Sequence, residues 1–422
     1  MGKKRQAAAC GLDFGTSNSG IARPIAGRAE LVALEDGATS MPTAVFFGTE
    51  EPHTTLYGRA AVAEYLDGTP GRLMRSLKSL LGSGLMDDTT AIGDRNIEFR
   101  DVVTLYLRTL RERAAASTGM RFDAVVMGRP VRFVDDDAAR DRAAQDTLAA
   151  CARAAGFRDV VFQLEPIAAA LDYERTVTRE EAVLVIDVGG GTADFTVIRL
   201  SPARHDLADR PDDVLASDGI HIAGTDFDAK LSLAWVMPTL GHGTIGPTGK
   251  PVPSLPYFDL STWHRINLLY TTKFQTVLRE LGAFFDDPVP YRRLVRVIDK
   301  RLGHGLLGRT EQAKIELSDA ARAVIPLDLV EPGIAVEVRA AELVALLADQ
   351  LARLVQVGRS TVTAAGLAPG AISTLYFTGG SSGMLALRQA FGAAFPASRV
   401  VVGDLFGSVV SGLGLDAARR FR

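Results

Sequence analysis

Twice in this chain an apolar stretch ends on an aspartate and runs straight into a glycine-rich turn. The first is Ala8-Ala9-Cys10-Gly11-Leu12-Asp13, followed by Phe14-Gly15-Thr16-Ser17-Asn18. The second is Ala182-Val183-Leu184-Val185-Ile186-Asp187, followed by Val188-Gly189-Gly190-Gly191-Thr192. Each apolar stretch reads as a buried strand and each turn leads into another strand, so the pair is a weak internal repeat of a whole lobe. Three glycines in a row are costly in conformational entropy, and a plain loop rarely needs them. A backbone whose N–H groups must approach phosphate oxygens does. Thr16 and Ser17 add hydroxyl donors. The aspartates cannot sit on phosphate, because like charges repel; they would act through hydrated Mg2+, which keeps much of its water shell. Neither turn is G-x-x-x-x-G-K-[ST] or G-x-G-x-x-G, so the P-loop and the dinucleotide fingerprint are excluded. One such turn alone is equally an ordinary β-turn. Two, one in each half, suggest a nucleotide clamped between two lobes.

The remaining sequence fits an α/β chain of two lobes. Strands are predicted at 30–34, 42–47, 124–127, 160–164, 193–200, 375–377 and 400–402. Helical periodicity marks 98–118, 136–156 with Gly156 as its stop, 167–175, 340–365 and a closing helix at 408–420. Residues 201–213 read as a hairpin or loop, 261–322 as mixed helical, and 237–258, rich in proline and glycine, as an irregular surface excursion. The 47 Lys and Arg against 50 Asp and Glu give a net charge of −3, which offers no global positive field to nucleic acid. Cys10 and Cys151 are too few for a disulfide framework, and the scattered histidines, His264 among them, have no metal-pair spacing. No apolar run reaches the ~18 residues of a membrane span and no signal pattern opens the chain. The expectation is a soluble, cytoplasmic protein with a frayed basic tip at 1–6.

Taken together, Gly11-Leu12-Asp13-Phe14-Gly15-Thr16-Ser17-Asn18-Ser19 and Asp187-Val188-Gly189-Gly190-Gly191-Thr192-Ala193-Asp194 resemble the two phosphate motifs of the actin/DnaK-type ATPase superfamily. The wording is most similar to the nucleotide-binding domain of DnaK-type chaperones. Further segments match in order over about residues 8–416. Leu77-Lys78-Ser79-Leu80-Leu81-Gly82 resembles the segment of the catalytic lysine. The resemblance implies that Lys78 lies by the γ-phosphate and orients the attacking water. Glu165-Pro166 resembles the connecting segment whose Glu meets the metal's water shell, and Pro130 the strand-end proline. Gly224-Thr225 falls in a loop near the nucleotide. Glu311, Lys314, Ile315 and Ser318 fall on the adenosine-contacting helix, and Gly379, Gly380 and Ser381 in the second adenosine loop. Asp404 and Gly412 fit the closing Asp and helix Gly. Two departures stand out: the family's adenine-stacking arginine is Ile315, and the arginine after the second loop is Gly383, so cation–π stacking on the base is lost.

The resemblance therefore implies a two-lobed actin-like (ribonuclease H-like) ATPase fold with ATP or ADP in the interlobe cleft. Lobe I is expected at 7–178, lobe II at 179–403, and a closing segment at 404–422 returning to lobe I. Lys78, Glu165, Asp187 and Thr192 would be catalytic; Asp13, Glu165 and Asp187 would hold Mg2+ largely through water. Asp13, Gly15, Thr16, Ser17, Asn18, Gly189, Gly190 and Gly191 would line the phosphates. The chain stops at Arg422, just past the nucleotide domain, as in short YegD-type homologues without a peptide-binding domain. The implied activity is slow ATP hydrolysis with client or co-chaperone proteins as partners. A small-molecule kinase and a non-catalytic actin-like assembly module remain alternatives, because one fold hosts all three.

Overall fold

The computed structural model describes residues 8–81, 85–134, 137–205, 207, 210–263, 265–405 and 407–421. The basic tip at 1–6, Gly82 and His264 lie outside the described residues. The first half opens with β1 (Ala8–Phe14), β2 (Asn18–Ile25), β3 (Arg28–Leu31) and short β4 (Ser40–Pro42). Strands β5 (Ala44–Gly48), β6 (Thr55–Tyr57) and β7 (Gly71–Arg75) form a separate sheet, with α1 (Gly58–Leu66) inserted between β6 and β7. Hairpin β8 (Thr89–Ile92) and β9 (Arg95–Glu98) leads into α2 (Phe99–Thr118), β10 (Phe122–Arg129), α3 (Ala138–Ala154), β11 (Asp159–Leu164) and α4 (Glu165–Glu174).

The second half repeats the plan with β12 (Glu181–Val188), β13 (Ala193–Leu200) and β14 (Val214–Ile220). Helices α5 (Gly224–Leu231), α6 (Leu255–Leu260), α7 (Thr272–Leu281), α8 (Pro288–Asp299) and α9 (Gly303–Glu316) follow. After them come hairpin β15 (Arg322–Pro326) and β16 (Ala335–Arg339), α10 (Ala340–Ala364), β17 (Thr374–Thr378), α11 (Leu385–Ala394), β18 (Arg399–Val402) and α12 (Ser408–Arg420).

The two main sheets share one topology. In the first the order is β11-β10-β1-β2-β3; in the second it is β18-β17-β12-β13-β14. Each has an antiparallel meander on one side of its opening strand and two parallel strands on the other. Each last strand leads into a helix, and the helices are exchanged. Ile167, Ala170 and Leu171 of α4 pack on Val183, Val185 and Ile198 of the second sheet. Leu413 and Ala417 of α12 pack on Val126 of the first. Ile167 and Leu171 are each 1% exposed, and burying such a side chain contributes roughly 1.5–3 kcal/mol. The helices touch at Gly412, where an added Cβ would lie 1.8 Å from the Ala168 carbonyl oxygen. Only a residue without a side chain lets them come that close.

Larger cores lie on the outer side of each sheet, around α2 and α3 in the first half and around α5, α9, α10 and α11 in the second. Helix ends follow local rules: α2 ends on Gly119 at φ +67, and Gly156 at φ +107 follows α3 as its stop. Three sequence readings need correction. The strand at 42–47 is two strands in different sheets, broken at Thr43. The strand placed at 30–34 ends at Leu31, before the Asp36-Gly37 turn, where both residues have positive φ. The 237–258 segment is not a mere surface excursion: Met237, Leu240, Val252 and Tyr257 are buried in the second core. Proline and glycine break its regularity while its apolar residues still drive burial.

Candidate functional site

The two aspartate loops are the connections β1–β2 and β12–β13, and both are four-residue hairpin turns. Phe14 pairs with Ser19, leaving Gly15-Thr16-Ser17-Asn18 as the first loop. Val188 pairs with Ala193, leaving Gly189-Gly190-Gly191-Thr192 as the second. In each strand the aspartate is one residue before the end, where alternation turns it away from the buried phenylalanine or valine that follows. The first loop is braced by Thr43: its hydroxyl donates to the Gly15 carbonyl at 2.7 Å and its amide to the Ser17 carbonyl at 2.9 Å. The second is braced from lobe II. The Gly189 carbonyl accepts from the Gly224 amide at 3.1 Å and the Ser381 hydroxyl at 2.9 Å. The Gly190 carbonyl accepts from the amide and hydroxyl of Thr225, each at 2.8 Å. These bonds hold the carbonyls of Gly189 and Gly190 against α5 and Ser381, with Gly190 at the edge toward the first loop. There the loops meet: a Cβ on Gly190 would sit 2.6 Å from the Ser17 hydroxyl.

Around that contact charged groups converge. Lys78 follows β7 by way of Ser76, whose φ is +55. Its ammonium donates to Glu165 at 2.6 Å, with 12% and 17% of the two side chains exposed. It is therefore no solvated surface lysine. Glu165 opens α4, and its Cγ and an Asp13 carboxylate oxygen flank Gly128 of β10, at 3.2 and 3.4 Å from where a Cβ would be. Burial, then the Glu165 charge, pushes the Asp13 carboxyl up to about 7, with Lys78 opposing. Burial, then Asp194, Glu165 and Asp13, pushes Asp187 up to about 8. Burial disfavours the Lys78 ammonium, but Glu165, Asp13 and Asp194 outweigh it and hold its pKa above the ordinary lysine value. Carboxylates crowded enough to hold protons near neutral pH lack positive charge, and a divalent cation supplies it. Among the described residues no three His, Cys, Asp or Glu side chains are grouped to hold a metal ion directly. Carboxylate oxygens suit a hard cation such as Mg2+, whose contacts to protein run partly through water.

The other sequence candidates line lobe II. Gly224 and Thr225 begin α5 behind the second loop. Lys314 of α9 is buried; its ammonium donates to Asp228 at 3.0 Å and the Gly224 carbonyl at 3.2 Å, so it supports the loop from the rear. Burial raises Asp228 to about 6 against the pull of Lys314. Glu311 and Ile315 are exposed on α9, and Ser318 follows its end. Gly379, Gly380 and Ser381 follow β17, which runs parallel beside Asp187. Asp404 precedes α12, its carbonyl accepting from Ser408. Thr192 is exposed and its hydroxyl donates to Asp194 at 3.2 Å.

Sequence reading passed over three residues here. Asp194 pairs across the hairpin with Asp187 and is the strongest charge acting on it. Counting back from a four-residue turn would have found it. Thr43, between β4 and β5, and Ser382, in the turn after β17, brace the loops, Ser382 accepting from the Val188 amide at 3.2 Å. No local signal marks Thr43, whereas Ser382 closes the Gly379-Gly380-Ser381-Ser382 segment that resembles the second adenosine loop.

Comparison with known proteins agrees with this geometry. The sequence model of the MreB/Mbl protein family matches residues 93–233. The "Chaperone protein HscA" of Proteus mirabilis (strain HI4320) is 31% identical over 255 residues, covering 56% of this chain and 38% of that protein. The "Chaperone protein HscA homolog" of Pseudomonas aeruginosa (strain LESB58) is 32% identical over 254 residues, 55% and 38% respectively. That of Laribacter hongkongensis (strain HLHK9) is 32% identical over 251 residues, again 55% and 38%. The match thus spans well under half the length of these relatives. With the duplicated sheets, these similarities support an actin/DnaK-type ATPase superfamily relationship and the two-lobed actin-like fold.

Proposed function

We propose that this chain binds ATP with Mg2+ between its two lobes and hydrolyses it slowly, as the nucleotide-binding part of a chaperone-like protein. The observation that carries the reading is the meeting of the two aspartate loops, with Lys78 and Glu165 beside them. The relatives named as chaperones support it. We take the lobes as 7–178 and 179–403, with 404–422 returning to the first. Client or co-chaperone proteins and a cytoplasmic setting belong to the same proposal. No helix among the described residues is long and apolar enough to cross a membrane.

Asp13, Asp187 and Glu165 would hold the hydrated Mg2+, which when bound supplies charge neutralisation to the phosphates. Phosphoryl transfer needs positioning and charge stabilisation more than covalent help. The amide edge of Gly190 and Gly191, with the hydroxyls of Thr16 and Ser17, would cradle the phosphate oxygens. Lys78, fixed by Glu165, would orient the water. Asp187 and Asp194 face each other at the mouth of the second loop, where a carboxylate can take the water's proton. Lobe I supplies Lys78 and Asp13 and lobe II Thr192, Asp187 and Asp194, so turnover would be limited by closure or release.

Calorimetry with ATP, with and without Mg2+, followed by a phosphate-release assay, tests the reading. Mg2+-dependent binding and slow phosphate release are the expected result. No binding of any nucleotide sinks it, and a phosphorylated metabolite in place of free phosphate moves it to a kinase.

A further inference from the structure

Between the end of β14, helix α5 and the middle of α10 lies a cavity of about 790 Å3, within the ~300–1,000 Å3 of small-molecule sites. It backs onto the second phosphate loop. Gly219, on its β14 wall, pairs with Asp194 across the ladder, and a Cβ there would lie 2.9 Å from an Asp194 carboxylate oxygen. Asp226, on its α5 wall, follows Thr225, whose amide and hydroxyl hold the Gly190 carbonyl. None of its lining residues is among those assigned to the nucleotide.

The cavity holds charges of both signs that do not pair with one another. Lys230 of α5 is half-buried and Arg353 of α10 is exposed. Neither has an ion-pair or hydrogen-bond partner among the described residues. Asp349 stands one turn before Arg353 on α10, at the i, i+4 spacing that permits a pair, and forms none. Asp226 is already engaged, accepting from the Ala223 amide at 2.9 Å. The side-chain carbonyl of Gln350, beside Asp349 on the same helix, is buried with no hydrogen-bond donor. Leaving a buried acceptor unpaired is costly, and a donor entering the cavity removes that cost. Ile220 and Ile222 add apolar surface to the wall.

Two cations suit a carboxylate. A carboxylate and an orphaned carbonyl suit an ammonium, which only donates. A simple anion would leave Asp349 and Gln350 unanswered, and a simple cation would leave Lys230 and Arg353 so. An α-amino acid carries both ends.

We propose that this cavity binds a free α-amino acid, its carboxylate on Lys230 and Arg353 and its ammonium on Asp349 and the Gln350 carbonyl, and that occupation is felt at the second phosphate loop. The binding stands apart from the nucleotide reading; its effect on nucleotide rests on that reading. Ordering Gly219 and Asp226 restrains the strand beside Asp194 and the helix that holds Gly190, which couples the two sites.

The test begins with thermal denaturation of the full chain, without nucleotide, against each proteinogenic amino acid at about 10 mM. At least one should raise the midpoint saturably. By calorimetry its amide, which lacks the carboxylate, and its deamino acid, which lacks the ammonium, should each bind about tenfold more weakly or worse. Lys230→Ala and Arg353→Ala should each cost about tenfold in affinity. Gln350→Leu separates binding from structure: it removes the orphaned acceptor, so the ligand-free midpoint should hold or rise while affinity falls. A midpoint that falls with affinity kept overturns the assignment. So does the absence of any stabilising amino acid, or parental binding of the amide and the deamino acid. ATP affinity with and without saturating amino acid should differ by about threefold or more. Equal affinities overturn the coupling and leave the amino-acid site. A chain that binds the amino acid and no nucleotide overturns the nucleotide reading, and the coupling with it, while the site stands.

Discussion

The two aspartate loops occupy equivalent places in two sheets of the same topology, yet they are built differently. In the first loop the residue paired across from Asp13 is Gly20; in the second the residue across from Asp187 is Asp194. The first offers the hydroxyls of Thr16 and Ser17, the second three glycines. Gly20 has no room for a carboxylate, since a Cβ there would already be 2.9 Å from Val410 of α12. The second half carries its extra negative charge at that position. The duplicated architecture thus sets where the loops are, while side chains at matched positions divide the labour: lobe I brings hydroxyls and the lysine, lobe II a bare backbone and paired carboxylates.

The largest expected effect tests whether the lysine that lobe I supplies acts on the reaction. Lys78→Ala should lower phosphate release by about 100–1000-fold, the usual cost of one electrostatic stabiliser, with nucleotide binding kept. Turnover at the parental rate would falsify the assignment. The exchanged helices come next. Gly412→Val should destabilise the fold by about 1–3 kcal/mol through overpacking against Ala168, read as a lower urea midpoint. An unchanged midpoint would mean that α4 and α12 can separate at no cost, and that the halves are not locked at their base.

The Gly20–Asp194 difference gives a smaller effect. Asp194→Asn should bring the Asp187 pKa down and slow hydrolysis about tenfold, while Asn18→Ala should change it less. Equal effects in both loops would erase the asymmetry. Proton linkage sharpens the same point. Without metal or nucleotide, Asp13 and Asp187 in the folded chain hold their protons to about 7 and 8, against ~4 when unfolded. Their contribution to stability is full below the unfolded value and is lost as pH rises through 7 to 8. Urea midpoints of the metal-free chain should therefore fall between pH ~4 and ~8. Asp187→Asn should remove more of that slope than Asp13→Asn; a flat profile in the parental chain contradicts the protonated carboxyls. The smallest effect concerns the base. With Ile315 exposed on α9 and Gly383 ending the turn after β17, ATP and GTP should differ in affinity by less than about tenfold. Calorimetric discrimination well beyond that would mean that other side chains read the adenine.

The sequence was most informative where one residue's neighbours along the chain decide its state. Strand β12, helix α12 and the stop at Gly156 follow from apolar periodicity and glycine, and the observed elements lie where those rules put them. Periodicity says nothing about which sheet a strand joins. The run 42–47 is apolar except for Thr43, and there the structure divides it between two sheets. Strand β14 went unread because its residues are only partly buried and mix polar with apolar, and β15 and β16 because each is a five-residue run whose buried Ala323, Ile325 and Val338 alternate with exposed neighbours.

By itself, then, the sequence determined two strand–aspartate–glycine units, the apolar faces that must be covered and the helix ends, all fixed by backbone sterics and local burial. The tertiary structure decided that Gly190 lies against Ser17, that Lys78 is buried on Glu165, and that α4 covers the second sheet while α12 covers the first. These contacts join residues far apart in the chain. Their energies come from removing charge and apolar surface from water, and those gains exist only once the two sheets have closed on each other.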